Sequence, residues 1–79
     1  MLMNFVEAMD LLRALSEFPP ESSRVRPKFI LYNAENEGYM VCVKEDSVKS
    51  DYLSFMNEIV ETRHLGIRKQ EGYLVMHSL

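Results

Sequence analysis

The sequence predicts an α+β fold in the order α-β-β-α-β-β, with a four-stranded, mainly antiparallel sheet and two helices packed on one face. Three observations carry that expectation. Two stretches repeat apolar residues at helical spacing. Four short β-prone runs are joined in pairs by polar, Gly-containing turns. The chain has 79 residues, enough for one small domain over 1–79 but not for two.

The first helix is expected from Asn4 to about Glu17. Asn4 is a favourable N-cap, and Glu7 stands three residues later, where a capping box needs its acid. Phe5, Ala8, Met9, Leu12 and Leu15 recur at helical spacing, and Val6 and Leu11 widen the stripe. Pro19-Pro20 ends the helix, because neither ring can donate a helical hydrogen bond. Residues 19–27, rich in Pro, Ser and Arg, read as a flexible linker to the sheet.

Phe29–Tyr32 and Tyr39–Val43 are expected strands around the polar turn 33–38, which ends in Gly38. A second helix is expected over 51–64. Ser50 is its N-cap, Asp51 favours the positive end, and Gly66 is the left-handed residue that closes it. Its stripe is Tyr52, Leu53, Met56, Ile59 and Val60. Ile67–Lys69 and Tyr73–His77 form the last hairpin around Gln70-Glu71-Gly72. Glu37-Gly-Tyr-Met-Val41 and Glu71-Gly-Tyr-Leu-Val75 agree at four of five places. This hints at a duplicated α-β-β unit, although hairpin turn chemistry alone produces the same likeness.

Composition excludes several function classes. Nine Lys and Arg against twelve Asp and Glu leave a net charge of −3, unlike the basic balance of most domains that grip a phosphate backbone. Cys42 is the single cysteine, so no disulfide framework is expected and a reducing, cytoplasmic setting fits. Glu7 and Asp10 interrupt the opening before a signal peptide could form, and no stretch reaches the ~20 apolar residues of a membrane span. No catalytic, cofactor-binding or metal-ligating residue is assigned: Cys42, His64 and His77 lack ligand spacing, and no nucleophile, phosphate-loop or zinc motif is present.

The strands say more. Three of the four are apolar at both parities, whereas a sheet with one wet face alternates apolar with polar. Only Ile67-Arg68-Lys69-Gln70 alternates, which marks an edge. Two helices cover one face, so the other is expected to expose an apolar patch, and such patches serve partners. The expected function is therefore a non-enzymatic protein-interaction module, homodimeric through the sheet face, with Tyr32, Tyr39, Val41, Tyr73 and Val75 as the candidate surface. An alternative is a nucleic-acid-associated regulator using two basic islands, Arg24, Arg26 and Lys28 in one, Arg63, Arg68 and Lys69 in the other. A second alternative is a small-ligand binder or minor enzyme with its site in a dimer cleft.

Overall fold

The computed structural model describes residues 2–17 and 27–79. Of the expected linker only Pro27 falls among them, and Arg24 and Arg26 lie outside the described residues.

Helix α1 spans Phe5–Leu15. Asn4 Oδ1 accepts from the Glu7 backbone N–H at 2.8 Å, and Glu7 Oε1 accepts from the Asn4 N–H at 3.0 Å. That is the reciprocal capping box expected from the Asn4–Glu7 spacing. Ser16 closes the helix, its hydroxyl donating to the Arg13 carbonyl at 2.6 Å.

Helix α2, Ser50–Thr62, departs from expectation at both ends. Ser50 is the first helical residue, and Lys49 holds the N-cap position without a side-chain hydrogen bond. Asp51 still serves the start, accepting from the Tyr52 N–H at 2.8 Å. At the C-terminal end the left-handed residue is His64 (φ 55), not Gly66. The strand begins earlier than expected, so Gly66 is already paired with His77 in the ladder. A Cβ on Gly66 would stand 2.7 Å from His77 Cε1. The missing side chain serves this close approach and does not serve the helix stop.

Strands β1 (Phe29–Asn33), β2 (Tyr39–Lys44), β3 (Leu65–Gln70) and β4 (Tyr73–Ser78) form one sheet in the order β1-β2-β4-β3. Every neighbouring pair is antiparallel. As its alternation predicts, β3 is an edge, and β1 is the other. Glu71 and Gly72 connect β3 to β4 with φ of 51 and 82, the two positive values of a type I′ hairpin turn. Gly38, at φ 131, enters β2 where a Cβ would meet the Met3 carbonyl oxygen at 2.8 Å. Met3 pairs there with Tyr39 through two backbone hydrogen bonds of 2.9 and 2.8 Å.

Both helices contribute to one core. Ala8, Leu11 and Leu15 from α1 meet Tyr52, Met56 and Val60 from α2 over Val41, Val43, Leu74 and Met76. Register puts Phe29 and Leu31 opposite Val43 and Val41, and these opposite Leu74 and Met76, so all share the helix-covered face. Burying each large aliphatic side chain here contributes about 1.5–3 kcal/mol. Leu53, expected on the α2 stripe, is 37% exposed and stands outside it.

Candidate functional site

Among the described residues, no helix lies over the opposite face of the sheet. In an antiparallel ladder directly opposed residues point the same way, so register alone identifies its members. Ile30 faces Cys42, Cys42 faces Val75, and Val75 faces Arg68, giving one row across all four strands. Tyr32 faces Met40 in the next row, and Tyr73 faces both Lys44 and Gln70 on the other side. Ile30 and Tyr32 are each 50% exposed. A shallow depression of about 390 Å³ is lined by Ile30, Tyr32, Met40, Cys42, Tyr73 and Val75, with Gln70 and Glu71 at its rim.

Two residues of the expected surface belong elsewhere. Val41 is fully buried in the core, and Tyr39 packs on the covered face, its ring 5.4 Å from that of Phe5 in an edge-on arrangement. Tyr32, Tyr73 and Val75 do line the uncovered face, joined by Ile30, Met40 and Cys42. A signal for this assignment was present in the strands. In β2 the charged Lys44 is in phase with Met40 and Cys42 and marks that parity as the wet one, and register carries the same face to Tyr73 and Val75. The same parity answers the repeat question. Tyr39 and Val41 face the helices while their counterparts Tyr73 and Val75 face away. The turns before them also differ, one carrying a 3-10 turn at Glu35–Glu37 and Gly38 at φ 131, the other two residues at φ 51 and 82, so the five-residue likeness extends to neither the turn nor the face.

The described basic residues do not gather. Lys28 precedes β1 and Arg68 and Lys69 lie on β3, at opposite edges of the sheet. Three strand spacings separate those edges, about 14 Å. Arg63 Nε donates to Asp10 Oδ2 at 3.0 Å, clasping α2 to α1. Lys69 Nζ sits 2.9 Å from Glu45 Oε2, and that hydrogen bond holds its pKa above the ordinary lysine value.

Arg68 is placed differently. Its side chain crosses the uncovered face above β4, bringing Nη2 within 3.7 Å of Met40 Sδ on β2, and its Nε donates to Gln70 Oε1 at 3.1 Å. Its aliphatic stem can cover apolar surface while the guanidinium stays solvated. Val75, its ladder partner, is accordingly only 5% exposed despite its position on the bare face. Burial pushes the Cys42 thiol above its ordinary pKa, and the nearby Arg68 charge pulls the other way. The neutral thiol dominates near pH 7, which makes Cys42 a small apolar contact and a poor nucleophile.

The chain matches no protein-family model, curated protein or solved structure. Among the described residues, no three His, Cys, Asp or Glu side chains come together as metal ligands, and no helix is long and apolar enough to cross a membrane.

Proposed function

We propose that the protein is a non-enzymatic interaction module that pairs with a second copy of itself through the uncovered sheet face. The observation that carries this reading is the row Ile30–Cys42–Val75 with Tyr32, Met40 and Tyr73 beside it, an apolar patch that among the described residues is crossed only by the Arg68 side chain, with Ile30 and Tyr32 half exposed. Covering such a patch is favourable by about 25 cal/mol per Å² removed from water. An isologous pair covers two patches with one contact and closes the assembly at two copies.

Size sets the strength. Four strands at ~4.8 Å and five or six residues at ~3.3 Å give a footprint of roughly 350 Å² in projection. Two copies contribute about 700 Å² together, below the area of stable specific interfaces, so the association is weak and reversible. A basic-groove reading has less support, because Arg63 and Lys69 already hold carboxylates and Lys28 stands at the far edge.

The test is sedimentation equilibrium across about 1–500 µM, the range in which an interface of this size should dissociate. The reading expects a monomer–dimer equilibrium that Ile30→Asp abolishes. A chain that stays monomeric throughout the range would refute it.

A further inference from the structure

Resting on the sheet-face dimer proposed above, we propose that Arg68 and Glu71 set its specificity, the guanidinium of each copy taking the Glu71 carboxylate of the other. Arg63 and Lys69 each hold a carboxylate within their own chain. Arg68 has only neutral partners among the described residues, an amide oxygen and a thioether sulfur. A guanidinium offers five N–H donors in a planar fork that suits a carboxylate far better than either of these. Glu71 borders the same depression from the type I′ turn, and it forms no ion pair among the described residues.

Arg68 and Glu71, opposite in sign, thus border one apolar patch with no ion pair among the described residues, and Lys44 adds a further unpaired charge on that face opposite Tyr73. Closing that patch against a partner strips water from Arg68 and Glu71, which is unfavourable unless each gains a counter-charge. A partner offering only acid would match Arg68 and repel Glu71, and a basic one would do the reverse. A second copy brings both signs, and two-fold symmetry makes the exchange reciprocal: if Arg68 reaches Glu71 of the second copy, the converse follows. Such pairing selects for self and disfavours unrelated apolar surfaces.

Charge reversal leaves the helix-covered core intact, since both side chains are exposed on the other side of the sheet, although R68E also shortens the stem over Val75. R68E and E71R should each keep the wild-type circular dichroism spectrum and raise the dimer dissociation constant about tenfold or more, through paired like charges. Mixed in equal amounts, they should associate as a heterodimer with an affinity within about threefold of wild type, because each mixed pair again joins opposite charges. Single variants that dimerise as wild type does, or a mixture that stays monomeric, would overturn the pairing. If Ile30→Asp still dissociated the wild type in that case, the sheet-face dimer would stand alone. A wild type that is itself monomeric would overturn both.

Discussion

The Tyr52 hydroxyl donates to the Leu15 carbonyl oxygen across 2.6 Å in the core, joining the first turn of α2 to the last residue of α1. The last four carbonyls of a helix have no partner within it, so this bond satisfies an acceptor that burial would otherwise strand. Tyr52 also stands edge-on to Phe55 at 5.7 Å and lies 6.0 Å from Phe29, linking both helices to β1. Tyr52→Phe keeps the ring and removes only the donor. Its expected cost is about 1–3 kcal/mol, the penalty for a buried polar group left without its partner. Urea denaturation should show a lower midpoint with an unchanged slope.

The left-handed residue after α2 offers a stabilising substitution. His64 holds φ 55, a conformation unfavourable by about 1–2 kcal/mol for a residue with a Cβ. Glycine adopts it freely, offset by its greater unfolded-state entropy of about 0.5–1 kcal/mol. His64→Gly should therefore raise stability by up to about 1 kcal/mol, read as a higher melting temperature. Gly66→Ala should instead lower it, because the new Cβ meets the His77 ring.

What could be read from the chain depended on the range of the determining contact. The capping box of α1 is contained in Asn4–Glu7, and the hairpin turn in Glu71-Gly72, so both were legible. The left-handed site after α2 was not, because Gly66 has the freedom and His64 does not. What decides between them is the ladder from β3 to β4, which claims Leu65 and Gly66 for Ser78 and His77. The uncovered face was legible as a need but only half legible in its membership. Apolar residues at both parities hide which side meets the helices, so the sequence alone groups Tyr39 and Val41 with Tyr73 and Val75, although the first two face the core. Arg68 read as part of a basic island, since nothing local tells that its side chain turns inward across β4.

Two substitutions separate the faces. Met56 is fully buried between α2 and the sheet, so Met56→Ala should cost about 2–5 kcal/mol through lost burial and a residual cavity. Ile30 is half exposed, so Ile30→Asp should leave the monomer folded, within the ±0.5 kcal/mol typical of surface changes. Thermal melts in dilute solution, where association is negligible, should show this difference.

The elevated Cys42 pKa has a pH consequence whose sign is fixed. The folded state favours the neutral thiol, so its contribution to stability is fully present below the ordinary value of 9.0 and is lost as pH rises through the higher folded value. Wild type should therefore lose stability above about pH 9 more steeply than Cys42→Ala, which has no thiol to titrate. Parallel curves for the two proteins would contradict this.

Cys42 also provides the most direct test of the sheet-face dimer, because it lies in the middle of the patch on that face. The rate of its modification by a thiol-specific disulfide reagent should be measured at fixed pH while protein concentration rises from about 1 to 500 µM, across the expected dissociation range. If two copies close face to face, the second-order labelling rate constant should fall severalfold as the dimer fills, and Ile30→Asp should restore the dilute value. A rate constant unchanged over the whole range, and equal in Ile30→Asp, would show that the face stays open to solvent and would contradict the dimer.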